Sequence, residues 1–416
     1  MLEQNYKINL KRNIFLYGVF LLLIVINSNI PPIEAVPGLA LIDTPIGLIS
    51  LPRLLLIISF LFCVFYAVRF SNSFSIVTAD IAIYFLMCVM IINFDQLYRL
   101  SYFILIIVGG YLVGRILGYF SDEKLIINSL KIGGMIQVCL VFYSIFISPL
   151  NFETSIGRDL FRDMNSHIEG YNIRAVGSIG HPVVLGAILI PSFICWLNDF
   201  LFCQNKLKKI ISGICLILTS AAIFLTFSRG TWLTIALVVF YLVIKKKLLK
   251  RVKTWFVFMF FAIYLMYSSY GELLLERIFM LSDTSSGSVS HRLYMYFWTF
   301  EQVCKNVGTF LWGSGVGSKN SLLMENPPPD NFLVIDNTYL SLLTETGLIG
   351  IILLLFTLFK AIYGYDKEIS LIGFIVIALS INGMTFDLYY WEQISIIFWI
   401  LVGFCISEHS KKSLKY

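Results

Sequence analysis

The chain has 416 residues, 58% of them hydrophobic and 13% charged, with a formal net charge of +6. Soluble domains carry about 25% charged residues, so this composition excludes a soluble globular protein, and the small basic excess reads as membrane topology rather than nucleic-acid binding. Solid apolar runs of about 20 residues, each long enough to cross a bilayer as a helix, also exclude a porin-type barrel, whose strands alternate in short segments.

The first run, near 13–28, follows a basic flank of Lys7, Lys11 and Arg12 and ends in Asn-Ser-Asn-Ile-Pro-Pro. No small-residue cleavage site follows, which predicts a retained first helix rather than a cleaved signal peptide. Further spans are predicted near 52–69, 75–93, 99–120, 124–148, 176–201, 208–226, 231–245, 253–269, 336–361, 368–385 and 390–407, about twelve in all. The chain thus reads as an all-α integral membrane protein, one polytopic domain over 1–416.

Orientation follows from Lys and Arg in short loops. With the N-terminus inside, Lys206, Lys208, Lys209, the basic run 245–253, Lys367 and the tail residues Lys411, Lys412 and Lys415 all fall inside, while 29–51 has no Lys or Arg. Both termini are therefore expected in the cytoplasm. Two long segments are then expected outside, 149–175 and the large loop 270–335. No inner loop approaches their size, so chemistry is expected at the outer face.

Within the large loop, the aromatic-rich stretch 290–306 predicts a helix lying in the membrane interface. The glycines of 310–320 predict a turn, and Asn326-Pro-Pro-Pro-Asp-Asn331 a stiff, non-helical connector. Of eight cysteines only Cys304 lies in an outer segment, so no disulfide framework is expected. The four histidines lack zinc-ligand spacing, and no Asp-x-Asp pair is present. No metal and no cofactor is expected, and an anion site would rely on arginine.

Three arginines stand at the expected outer boundary: Arg174, Arg229 in a short turn before Gly230, and Arg292 in the large loop. Such side chains either snorkel to headgroups or, together, grip a pyrophosphate by bidentate charge-assisted hydrogen bonds. Asp336, at the mouth of an apolar helix, reads either as its N-cap or as a general base at a cavity lip. Asn337 would orient that base or bond a sugar. Asp336, Leu340, Leu343, Gly347 and Gly350 share a helical face, and the glycines would admit a neighbouring helix. Glu345, deeper and off that face, reads as structural. His181 reads as a packing residue or, beside Arg174, a catalytic one. Trp298 and Trp312 would stack on sugars or anchor in the interface.

At these residues the chain resembles the O-antigen polymerases and ligases of the bacterial inner membrane. The resemblance rests on Arg174, Gly177, Pro182 and Gly186; on Thr226, Ser228, Arg229 and Gly230; on Arg292, Trp298 and the glycines 313, 315 and 317; and on Asn337, Tyr339, Leu340, Glu345, Gly347 and Gly350. It covers about 170–350. It implies a GT-C-like polytopic bundle and a metal-independent glycosyltransferase working at the periplasmic face. The implied donor is a glycan on undecaprenyl pyrophosphate, drawn from the membrane lipid, with a chain-length regulator protein as a further implied partner. The implied site comprises Asp336 and Arg229 as catalytic groups, with Arg174, Arg292, Asn337, His181, Tyr339 and Trp298 binding substrate. Ligases of this kind usually carry His before the Asn of the last motif, whereas this chain has Asp336, which favours polymerase over ligase. A flippase for the same lipid-linked glycan is the alternative of another class, but related halves and midplane charges are not seen in the sequence.

Overall fold

A computed structural model describes residues 51–69, 76–120, 123–147, 174–245, 287–363 and 369–413, with a few positions among the first fifty. Most of the expected span 13–28, all of 253–269, nearly all of the segment 149–175 and the first part of the loop 270–335 lie outside the described residues.

The ten expected spans that fall within these residues each coincide with a helix. In chain order the helices are α1 Leu51–Arg69, α2 Thr78–Ile92, α3 Leu97–Ile104, a π-helical turn Leu105–Gly109, α4 Gly110–Phe120, α5 Glu123–Phe146, α6 Pro182–Phe202, α7 Lys206–Leu225 and α8 Arg229–Lys245. Then follow α9 Gly287–Val303, α10 Val307–Trp312, α11 Ser318–Glu325, α12 Thr338–Ile362, α13 Leu371–Asn382, a short 3-10 turn Leu388–Tyr390 and α14 Glu392–Ser413. A two-residue hairpin, Asp43–Thr44 with Gly47–Leu48, is the one sheet among the described residues. Among the described residues five helical stretches are long and apolar enough to cross a membrane by themselves: Leu97–Tyr119, Glu123–Phe146, Pro182–Phe202, Lys206–Leu225 and Thr338–Ile362. The others that match expected spans are shorter or carry charge. Among the described residues the fold is that of an integral membrane protein built of helices, five of which meet both the length and the apolarity needed to span a membrane.

Helix α14 is apolar all round because it is buried all round: Ile394 and Ile396–Val402 are all nearly inaccessible. It packs along α4, and the fit is set by glycine. A Cβ at Gly114 would stand 2.0 Å from the Ile400 carbonyl oxygen, one at Gly118 2.6 Å from that of Phe404, and one at Gly403 2.1 Å from that of Tyr111. Small residues four apart let two backbones approach this closely in a membrane. Beside this seam a buried ion pair ties α4 to α2. Arg115 donates from Nε and Nη2 to the two Asp80 oxygens, both at 2.9 Å, and Asp80 further accepts from the Tyr111 hydroxyl (2.5 Å) and the Val77 N–H (2.9 Å). Every lone pair in view has a donor, which is what a buried carboxylate requires.

Helix α12 departs from the regular face read in the sequence. Gly347 has φ +65°, ψ −166° and breaks the helix into two pieces. A Cβ there would lie 2.5 Å from the backbone of Leu311 and Gly313. The glycine admits the C-terminal end of α10, through Leu311, and the 313–317 loop that follows it. Gly350 does not open the face either, since its missing Cβ position is filled by Thr346 of the same helix at 1.9 Å.

Candidate active site

The loops 93–97, 226–230, 291–337 and 383–391 converge at one end of the bundle. Loop 313–317 docks on the α12 break. Gly313, Gly315 and Gly317 all have positive φ, a region that glycine enters without penalty. Ser314 and Gly315 donate N–H groups to the carbonyls of Thr344 and Glu345 (2.8 and 3.0 Å). The Gly317 N–H reaches the buried Glu345 carboxylate at 3.1 Å. Glu345 is thereby a docking post for this loop, the structural role read for it in the sequence.

Helix α12 begins one residue later than the Asp336 N-cap reading requires. Asn337 is the N-cap: its side-chain oxygen accepts from the N–H groups of Tyr339 and Leu340 (2.9 and 3.1 Å). Its amide nitrogen donates to the Tyr296 hydroxyl and the Met384 carbonyl, both at 3.1 Å. The amide is thus fully used in holding the helix start. Asp336, relieved of capping, faces Arg292, with Nη2 to Oδ2 at 3.9 Å and each side chain about one-third exposed (34% and 33%). Burial raises the Asp336 pKa above the ordinary carboxylate value, and the Arg292 charge only partly opposes this. Arg292 itself reaches the Thr385 carbonyl at 3.4 Å, and its buried Nε has no acceptor among the described residues.

The connector before Asp336 is held by His291, which is buried. One ring nitrogen meets Asp330 Oδ2 at 2.8 Å, the other the Val334 carbonyl at 2.9 Å. Both partners offer acceptor oxygens to the ring.

Loop 383–391 links the remaining candidates. The Thr385 side chain fills the space where Gly230 would carry a Cβ, 2.1 Å from that position. Arg229, the first residue of α8, is therefore a neighbour of the strand of backbone that Arg292 contacts. Arg174 turns to the C-terminal end of α7, donating to the carbonyls of Thr226 (3.0 Å) and Phe227 (3.4 Å), where the helix dipole favours a cation. His181 occupies the N-cap position of α6 without a side-chain capping bond, its ring 4.9 Å from the Trp391 ring and tilted 33° to it. Burial and the Arg174 charge push its pKa down to about 4, so it is neutral at pH 7. Two other candidates point into packing. The Tyr339 hydroxyl donates to the Ser380 carbonyl at 2.8 Å. Trp298 is 2% exposed, in a cluster with Met295, Leu323, Ile335 and Leu340, and its N–H donates to the Asn326 carbonyl at 2.9 Å.

The sequence reading missed a second charged pair at this end. Lys319 Nζ lies 2.5 Å from Asp387 Oδ2, both side chains under 10% exposed, and 4.7 Å from the Tyr390 ring centre. Burial pulls the Lys319 pKa down, but Asp387 and Glu345 outweigh it and the net shift is upward. Asp387, a lone acid between the predicted spans 368–385 and 390–407, was the available signal; Lys319, within the polar Gly-rich turn 310–320, gave none. Among the described residues no three His, Cys, Asp or Glu side chains gather as a metal-ligand set.

Fold and site together define a polytopic helical membrane protein with a guanidinium–carboxylate site where one helix opens at the end of the bundle. Residues 214–355 match the family described as O-antigen ligase, a stretch that contains Arg229, Arg292, Trp298, Asp336, Asn337 and Tyr339 but neither Arg174 nor His181. More particularly, the chain is 26% identical to an O-antigen polymerase of Salmonella muenchen, across 61% of this chain and 67% of that protein. Both comparisons agree with the resemblance carried by the motifs.

Proposed function

We propose that this protein polymerises lipid-linked oligosaccharide repeat units at the periplasmic face of the bacterial inner membrane. The growing glycan is transferred as a block from undecaprenyl pyrophosphate to the next carrier-linked unit, without a metal. Asp336 takes the proton from the attacking sugar hydroxyl. Arg292 and Arg229 hold the pyrophosphate and stabilise it as it leaves. Arg174, bonded to the turn that carries Arg229, sets that residue's place. His181, being neutral, serves as a hydrogen-bonding group rather than as a cation.

The observation that carries this reading is the freedom of Asp336. Asn337 caps the helix, so the carboxylate is left about one-third exposed, with a raised pKa and a loosely held arginine whose Nε has no acceptor among the described residues. A carboxylate made more basic by burial suits proton abstraction, and an arginine with donors to spare suits a phosphate. The resemblance supplies the substrate class. Tyr339 and Trp298, turned into packing, shape the site from behind. A ligase moving finished polymer to the lipid A core is the second reading, favoured by the description of the matched family.

Surface glycolipid from a strain lacking the gene separates the two on a gel. A ladder collapsed to core plus a single repeat supports the polymerase. Polymer accumulating on the carrier while the core stays bare supports the ligase instead.

A further inference from the structure

Helix α9 carries a feature that the reaction does not use. Leu293, Tyr296, Phe297 and Phe300 are 48%, 42%, 75% and 53% exposed. Their spacing of three and four residues places them on a single stripe. The opposite face is buried through His291, Met295, Trp298, Thr299 and Gln302. Phe297 and Phe300 facing water would be a costly, association-prone surface. The exposed charges of Glu301 and Lys305 stand near the C-terminal end of the stripe.

The helix is tied to its neighbours at its middle and in the turn that follows α10. Tyr296 bonds Asn337, the N-cap of the membrane-spanning α12. Past its C-terminus, the carbonyls of Trp312 and Gly313 accept from Asn93, the residue that closes α2 (3.2 and 3.0 Å). Helix α9 and the turn after it therefore run along the ends of α12, which is long and apolar enough to cross a membrane, and of the shorter apolar α2, at the edge of the bilayer that α12 enters.

We infer that α9 is an interfacial helix whose Leu293–Tyr296–Phe297–Phe300 stripe is immersed in the headgroup and acyl boundary of the bilayer. The occupant of the stripe is lipid, not protein. Arg292, one residue before the stripe, is thereby held at headgroup depth, and the Arg292–Asp336 site opens in the membrane plane. This holds whichever reaction the site performs.

The test uses the full chain in phosphatidylcholine nanodiscs, with 4-trifluoromethyl-phenylalanine in place of Phe297 or Phe300 and, as a lipid-facing reference, Phe85 of α2, which is 60% exposed. Fluorine NMR is read with a nitroxide attached to the upper acyl chain of a lipid, and separately with a water-soluble gadolinium chelate. The expected result is loss of the 297 and 300 signals to the nitroxide and their survival with the chelate, as at position 85. Loss to the chelate with survival under the nitroxide puts the stripe in water and overturns the inference. Survival under both reagents means that a second copy or another protein covers the stripe, which overturns it equally. Two separately labelled positions guard against failure of one variant to fold, and the readout does not depend on activity.

Discussion

Two guanidinium–carboxylate pairs in this protein have the same chemistry and opposite character. Arg115 and Asp80 are 2% and 6% exposed, meet at 2.9 Å through two bonds, and leave no carboxylate lone pair idle. Arg292 and Asp336 are about one-third exposed, stand 3.9 Å apart, and leave Arg292 Nε without a partner among the described residues. The first pair is deep between helices, where an ion survives only if it is fully satisfied. The second sits at a helix mouth, where a neighbouring residue has taken over capping. A pair that is complete holds helices together, and a pair that is incomplete has capacity left for a substrate.

The largest expected effects test each side of that contrast. Asp80→Ala leaves Arg115 as an uncompensated buried charge and is expected to cost roughly 3–5 kcal/mol, read as a large drop in thermal unfolding midpoint in detergent. Asp336→Asn is expected to do the reverse, lowering polymer formation by about 10²–10⁴-fold, the usual worth of a general base, with normal protein level. Its stability should not fall. The folded-state carboxyl holds its proton more tightly than the unfolded chain's, so Asp336 favours folding at acid pH and loses that contribution as pH rises through the raised pKa. At pH 7 the neutral amide removes the cost of ionising, and the midpoint should stay level or rise. Wild-type chain lengths in Asp336→Asn would remove Asp336 from the chemistry.

Smaller effects sharpen the picture. Gly347→Ala forces a side chain onto a left-handed backbone and against Leu311 and Gly313, an expected loss of about 1–3 kcal/mol, visible in melting and in protease sensitivity of the 313–317 loop. Gly114→Ala drives a Cβ into the Ile400 carbonyl and is expected to loosen the α4–α14 seam by a similar 1–3 kcal/mol. The smallest effect is a shift in the pH profile. With Asp336 as the proposed base, which must be ionised to act, activity should fall on the acid side at a pH above that of an ordinary carboxylate. Arg292→Gln removes the charge that holds that pKa down, so any residual activity should fail at a still higher pH, whereas Arg292→Lys should move the limb less.

Much of this was legible in one dimension. Apolar runs located ten helices to within a few residues, because burial in lipid or in a bundle needs only local composition and length. The large loop's aromatic stretch read as a helix, and the proline run as a connector, for equally local reasons. Asp336, Arg292 and Arg229 stood out because a charge beside an apolar helix is costly wherever it lies. The exact start of α12 decided the rest: one residue moved the cap from Asp336 to Asn337 and changed what each side chain is free to do.

What the tertiary structure alone decided depends on residues far apart in the chain. Asp80 and Arg115 are 35 positions apart, Lys319 and Asp387 are 68, and Asn93 reaches Gly313 across 220. No periodicity encodes such pairings. The glycines of α4 look like any apolar-helix glycines until α14 lies against them, and Gly347 like a packing position until a loop needs the space. Helix formation is a local hydrogen-bonding problem and so is written along the sequence. Which polar group finds a partner, and which is left open for chemistry, is settled only when the helices meet.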